Sequence, residues 1–247
     1  MKKPVRVLLV GSAGRMGQAI LEVAKDDATT DIIGVCEKGD AIEPAISHSD
    51  VVVDFSRAEA IDEICRVVSG RKLALVVGTT GHSAEQRKGI EKCAESIPVV
   101  WSSNFSVGVN ALFWLTRKAV EMLGPDFDLE IVEMHHRLKK DSPSGTAVTL
   151  ASILQAHRQI EKTRHGREGN MGERRAGELG IHSIRGGDVV GDHTVIFAGE
   201  GERLELTHRA TSRATFAKGA LRAAHWIVGR PAGLYSMEDV LGLPGAK

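Results

Sequence analysis

The densest chemistry in the sequence runs through Glu133-Met134-His135-His136-Arg137-Leu138-Lys139-Lys140-Asp141-Ser142-Pro143-Ser144-Gly145-Thr146-Ala147. Two adjacent histidines are followed at once by the cations Arg137, Lys139 and Lys140. Histidine titrates near neutrality, so His135 and His136 are groups that can exchange a proton at working pH. Ser144-Gly145-Thr146 opens a predicted helix, and hydroxyls with unpaired N–H groups at a helix start form an anion site. With Arg137 and Lys139 beside it, the fitting guest is a small molecule carrying carboxylates. Each feature also has a plainer reading: a helix cap, a solvated cationic face, structural or metal-binding histidines. No acidic or cysteine partner stands at metal spacing, so no metal site is expected.

A second constellation lies near the start. Gly11-Ser12-Ala13-Gly14-Arg15-Met16-Gly17 follows a continuous apolar run at residues 5–10 and precedes an amphipathic pattern at 16–24. Between a buried strand and a helix, this G-x-x-G-x-x-G spacing fits a dinucleotide. Glycines let the backbone approach a pyrophosphate, and the helix start offers it N–H groups and a positive dipole end. Glu37 comes twenty residues after Gly17, where an acid meets the adenosine ribose hydroxyls, which favours a cofactor without a 2′-phosphate. Lys38, next along, can pair with that phosphate, so use of both NADH and NADPH is expected. Gly78-Thr79-Thr80-Gly81 and Phe55-Ser56-Arg57 each follow a predicted strand at its C-terminal end, where open α/β sheets bind ligands.

The elements that must position these groups read as follows. Strands are predicted at 5–10, 31–36, 51–55, 73–77 and 99–101, with helices at 16–24, 58–68 and 84–94 between them. Such alternation means a parallel, doubly wound sheet. After Asn104 the pattern changes: a helix at 109–122, a strand at 128–135, and a helix from Ser144 to about 160. Residues 162–180, rich in glycine and charge, read as a loop. Strands at 181–185, 188–198 and 203–209 are separated by glycine turns, which suggests hairpins and an antiparallel or mixed sheet. A last helix is predicted at 215–228.

The bulk properties set the outer limits. The 247 residues can bury a sizeable core without staples. The 32 basic and 32 acidic residues cancel, giving no global case for nucleic acid or an anionic membrane. An RNA-binding role for 137–140 lacks aromatic stacking residues. Cys36, Cys65 and Cys93 are too few and too scattered for a disulfide framework and read as buried thiols. The apolar run at the start is short, is interrupted by Arg6 and leads into the glycine loop, so it is not read as a signal peptide. No stretch has the roughly 20 apolar residues that span a bilayer. A cytoplasmic protein is expected.

At these motifs the chain resembles the 4-hydroxy-tetrahydrodipicolinate (dihydrodipicolinate) reductases of bacterial lysine and diaminopimelate biosynthesis. The resemblance spans essentially the whole sequence, through Gly11–Gly17, Gly78–Gly81, 104–110, 135–147 and 181–188. Ser12-Ala13 departs mildly from the family's frequent alanine-glycine, and Lys38 stands where arginine is frequent. The resemblance implies a Rossmann-type doubly wound parallel sheet plus a second α+β domain with a mixed sheet. It divides the chain into a dinucleotide domain (1–105 and 214–247) and a substrate and oligomerisation domain (106–213). It implies a cofactor along Gly11, Ser12, Ala13, Gly14, Arg15, Met16, Glu37, Lys38, Gly78, Thr79, Thr80, Ser102, Ser103, Asn104 and Phe105. It implies a dicarboxylate held by His136, Lys139, Gly145 and Thr146, proton transfer by His135 and Lys139, and a homotetramer. The alternatives are another two-domain nicotinamide oxidoreductase acting on a small carboxylate and a non-catalytic nucleotide-binding regulator.

Overall fold

In the computed structural model, which describes residues 3–244, every second residue of the leading strands faces one side and the rest face the other, and both sides are buried. Strand β1 (Val5–Val10) pairs in parallel with β2 (Thr30–Cys36) and with β3 (Val51–Asp54). Beyond β3 come β4 (Ala74–Val77), β5 (Pro98–Trp101) and, at the edge, β11 (Gly233–Tyr235), all parallel. Leu8, Val52, Leu75 and Val99 pack in one core with residues of α3 (Ile61–Arg71) and α4 (Ala84–Ala94). Val7, Leu9, Val51, Val53 and Val76 pack in another with α1 (Arg15–Lys25), α7 (Ala214–Ile227) and α8 (Met237–Leu241). Helices on both faces explain why these strands are apolar throughout rather than alternating.

The chain divides into two packed units: residues up to Val107 with those from Arg213 onward, and Gly108–Ser212. The second unit has its own five-stranded mixed sheet, in the order β10 (Arg203–Ala210), β9 (Gly191–Ala198), β6 (Asp128–His135), β8 (Glu178–Arg185), β7 (Lys162–His165). β6 runs antiparallel to β9 and parallel to β8. Here the alternation is strict: Leu129, Ile131, Glu133 and His135 of β6 are buried, their neighbours only partly. Leu129 and Ile131 meet Leu179, Ile181, Val195 and Phe197 under α5 (Val107–Leu123) and α6 (Gly145–His157). These helices cover one face; on the other, Val132, Met134 and Ile196 stay half-buried and Ile184 is 46% exposed.

The reading of 162–180 as a loop is corrected at both ends, because β7 occupies Lys162–His165 and β8 begins at Glu178. β7 is a polar edge strand and therefore carries no apolar run to betray it. Residues between them are tied down by charge. Arg167 forks onto Glu130 at 2.6 and 3.1 Å and reaches Glu178 at 2.7 Å. Arg174 adds contacts to Glu130 and Asp128, and His182 closes on Glu130 at 2.7 Å. Also absent from the sequence reading were β11, α8 and the short α2 (Ile42–Ala45), each five residues or fewer. The other elements match their predicted spans within about three residues, as fraying ends allow.

Burial alone would raise the Glu130 carboxyl, but the hydrogen bonds from Arg167, His182 and Arg174 outweigh it and hold the group at about 2. A carboxylate lowered on folding adds stability above its unfolded value, and that stability fades as the pH falls from about 4.5 toward 2. Glu130→Gln is expected to cost about 1.5–3 kcal/mol at neutral pH, the value of charge-assisted hydrogen bonds. Urea midpoints measured from pH 7 to 2 should draw together for the two proteins below about pH 4.5; parallel curves would remove Glu130 from this role.

Candidate functional site

In the first unit the glycine loop lies at the C-terminal ends of β1 and β3, the point where strand order reverses from β2 to β3. Gly11 has φ +87°, and a Cβ there would lie 2.6 Å from the Phe55 carbonyl oxygen. A Cβ on Gly17 would lie 2.3 Å from the Gly11 carbonyl oxygen, so the loop folds against α1 only because both side chains are absent. Helix α1 begins at Gly14 with no side-chain cap and no acidic residue in its first turn. By contrast, α4 and α8 each start with a serine capping box. The α1 start therefore has no capping side chain on its first-turn donors, and its positive dipole end is not offset by an acid in that turn.

A cavity of about 610 Å³ opens beside this loop, lined by Gly11, Gly14, Glu37, Lys38, Ser56 and Arg57 among others. Glu37 is turned onto the loop: its Oε1 accepts from the Ser12 hydroxyl and from the Ala13 N–H. Lys38 is exposed, as are Ala13 and Arg15, while Met16 is half-buried on α1. A second cavity, of about 220 Å³, brings together Thr79, Thr80, Ser102 and Ser103 with His82 and Trp101. Asn104 bonds the Ser102 hydroxyl through its backbone and so shapes this edge. Phe105 differs from the rest, since its ring is 2% exposed and packs edge-on against Phe55 in the core. Its carbonyl oxygen faces Gly219 of α7, so the structure turns this predicted contact residue into the core. Gly78 follows β4 where β3 hands over its last hydrogen bond, from Gly78 N–H to the Asp54 carbonyl.

In the second unit the buried face of β6 changes character along its length, from Leu129 and Ile131 to Glu133 and His135. Glu133 Oε2 lies 2.6 Å from His135 Nδ1. Arg185, from β8, donates to both Glu133 oxygens at 2.8 Å and to the Asp141 carbonyl at 2.8 Å. The Ser144 N–H donates to Glu133 Oε1 at 3.2 Å. Ser144 caps α6 through Ala147 N, and its hydroxyl also lies 3.0 Å from His193 Nε2 of β9. The two rings, His135 and His193, sit edge to face at 5.1 Å.

These environments push the groups apart. Burial would raise Glu133, but Arg185, Ser183 and His135 outweigh it and hold the carboxylate at about 2. Burial lowers His135, and Glu133 partly restores it, with Lys139 and Arg185 adding to the lowering. His193 is pushed down to about 3, mainly by burial and then by His135, and stays neutral. His136 follows β6 and donates its N–H to Val189 at 2.7 Å. A turn over His136–Lys139 closes through Lys139 N–H to the His136 carbonyl. Lys139 Nζ reaches Asp141 at 2.9 Å. Gly145 is exposed at the start of α6, with Thr146 half-buried beside it.

His135, Lys139, Gly145 and Thr146 thus gather at one end of the mixed sheet. Glu133, Arg185 and His193 belong to the same cluster and were not singled out from the sequence. A signal existed for Glu133, a charge standing in phase with the apolar positions 129 and 131. Among the described residues no group of three or more His, Cys, Asp or Glu is arranged to hold a metal ion. Nor is any helix among them long and apolar enough to cross a membrane.

Comparison with known proteins falls along the same two halves. Residues 5–105 match the family model for dihydrodipicolinate reductase, N-terminus, and residues 108–241 that for its C-terminus. A 4-hydroxy-tetrahydrodipicolinate reductase of Akkermansia muciniphila is 52% identical over 242 residues, 97% of this chain and 98% of that one. One from Anaeromyxobacter sp. is 43% identical over 267 residues, covering 98% of this chain and all of its own. Among solved structures, the dipicolinate-bound dihydrodipicolinate reductase of Paenisporosarcina sp. TG-14 superposes with a TM-score of 0.80. It covers 94% of this chain and 97% of its own, at 24% identity, and supports the fold. With both halves matched and such identity over nearly its full length, the chain belongs to the dihydrodipicolinate reductase family.

Proposed function

We propose that this chain reduces 4-hydroxy-tetrahydrodipicolinate to tetrahydrodipicolinate in lysine and diaminopimelate biosynthesis, as a cytoplasmic enzyme using NADH or NADPH. The observation that carries the reading is the cluster on β6, which joins a proton-exchanging His135 to the start of α6 and to Lys139. When bound, the reduced nicotinamide supplies the hydride. The glycine cradle, the uncapped α1 start and the cavity beside Glu37 fit a dinucleotide pyrophosphate and its ribose. In this assignment Gly11–Met16, Glu37 and Lys38 hold the adenosine half, and Gly78–Thr80 with Ser102–Asn104 the nicotinamide half. Lys38 offers the 2′-phosphate a partner, which underlies dual cofactor use.

The second unit binds the substrate. His136, Lys139, Gly145 and Thr146 anchor its two carboxylates through cations and the dipole end of α6. A bound dianion favours the charged form of His135, which is then able to give up a proton from Nε2. Negative charge that builds on the ring as hydride arrives is stabilised by Lys139 and quenched by that proton. The balance is one hydride and one proton added and one water lost, the hydroxyl leaving with proton assistance from the same pair. The half-buried outer face of the mixed sheet, with Val132, Met134, Ile184 and Ile196, supports a homotetramer assembled through the second units.

The direct test is NADH oxidation by the purified chain with the freshly made condensation product of pyruvate and aspartate semialdehyde. Absence of turnover would reject the reading in favour of a nucleotide-binding regulator or another oxidoreductase. His135→Gln should lower turnover by about 10²–10⁴-fold with substrate binding broadly kept, the usual loss for a general acid–base group. Lys139→Ala should damage turnover and substrate affinity together, and neither change should move NADH affinity.

Glu37→Ala should weaken NADH about tenfold or more, since a charge-assisted hydrogen bond to the ribose is worth roughly 1.5–3 kcal/mol. NADPH should lose less, or gain. Unchanged NADH affinity by fluorescence titration would displace Glu37 from the ribose. Light scattering at micromolar concentration should return four times the chain mass of 26.5 kDa, and a monomer mass would overturn the tetramer.

A further inference from the structure

We propose that Glu133 is the positioning residue of this site: it fixes His135 as the Nδ1–H tautomer and ties that ring to the anion-binding start of α6. The inference rests on the functional reading above and adds a residue to it. The carboxylate has no exposed surface and is held from several sides, Ser183 of β8 among its hydrogen-bond partners. One oxygen takes His135 Nδ1 at 2.6 Å and an Arg185 nitrogen at 2.8 Å. The other takes the second Arg185 nitrogen at 2.8 Å and the Ser144 N–H at 3.2 Å. An ionised carboxylate only accepts, so Nδ1 must be the protonated nitrogen and Nε2 the one left for chemistry.

On the Nε2 side β9 offers no side chain. Gly191 stands beside that nitrogen, and a Cβ there would lie 2.9 Å from Nε2. The other charged and titratable groups facing His135 are Arg185 on β8, Lys139 in the turn after β6, and His193 on β9. Lys139 and Arg185 oppose a positive charge on the ring, while His193 is neutral. Glu133 is the group that favours it. A purely structural ion pair between Glu133 and Arg185 would close β6 on β8 without needing either Nδ1 or Ser144. The same carboxylate reaching both is what couples the proton donor to the anion site, in the way outer carboxylates orient histidine ligands.

Two measurements test this. In the resting wild-type protein, nitrogen-15 spectra of the histidine rings should show His135 as the Nδ1–H tautomer above its pKa. That result needs no turnover, so it stands apart from the assay of the proposed reaction. In Glu133→Gln, kcat should fall roughly 10–100-fold while KM for the dicarboxylate stays within about threefold, the range for loss of an orienting partner. The alkaline limb of the kcat profile should move to lower pH, because the protonated ring has lost its one favourable charge and Arg185 is left unpaired. Glu133→Asp, which keeps the charge, should return the limb toward its original position. A His135 ring found as Nε2–H in the wild type would overturn the proposal. So would a Gln variant that is less stable but keeps its kcat and pH profile.

Discussion

The second unit depends on a charge placed where its sheet has no water to offer. Glu133 occupies a core position of β6, in line with Leu129 and Ile131, and an isolated carboxylate there would be too costly to keep ionised. The Arg185 fork from the neighbouring strand reverses that balance, and the outcome is a carboxylate held far below its ordinary range. Once ionised, it demands further donors, and His135 and the Ser144 backbone supply them. Arg185 also holds the Asp141 carbonyl, so both ends of the segment between β6 and α6 are fastened to the same pair. The cationic turn with Lys139 is thereby presented from a rigid frame, although its own residues are largely exposed.

The two helix starts proposed to meet anions are built in different ways. Helix α1 leaves its start uncapped and relies on missing side chains at Gly11 and Gly17 to let a ligand's phosphates come close. Helix α6 keeps a capping serine, but the hydroxyl also touches His193 and the backbone touches Glu133. The first is an open dipole end suited to a spread-out charge. The second is wired to titratable side chains, which suits a site where charge changes during reaction.

How much of this was legible in the sequence follows from what each pattern reports. The apolar runs at β1, β3 and β4 are long enough, and bounded clearly enough, to fix a parallel sheet with both faces covered. Glycine spacing exposed the cradle at Gly11–Gly17 because backbone approach demands that residue type. The motif 135–146 was visible for its residue types, yet Arg185 and His193 were not, since they reach it through pairing between β6, β8 and β9. Nothing local marks such a partnership. β7 and β11 were invisible for a related reason: each lies at a sheet edge and pairs on one side only. Glu37 was found for its spacing, while its contacts with Ser12 and Ala13 depend on how the loop curls back.

The order of elements along the chain has a consequence for biosynthesis. The first sheet is assembled from residues on both sides of the second unit, because α7, α8 and β11 all come after Ser212. Until that stretch leaves the ribosome, Val7, Leu9, Val53 and Val76 lack the α7 and α8 part of their cover, and β5 presents a bare edge. The close fit awaiting α7 is demanding: a Cβ on Gly219 would lie 1.7 Å from the Phe105 carbonyl oxygen. The intervening 108–212 stretch carries its own core and can condense meanwhile, which shortens the effective loop that α7 must close. Translation of this chain thus leaves one hydrophobic sheet face waiting for most of the elongation time.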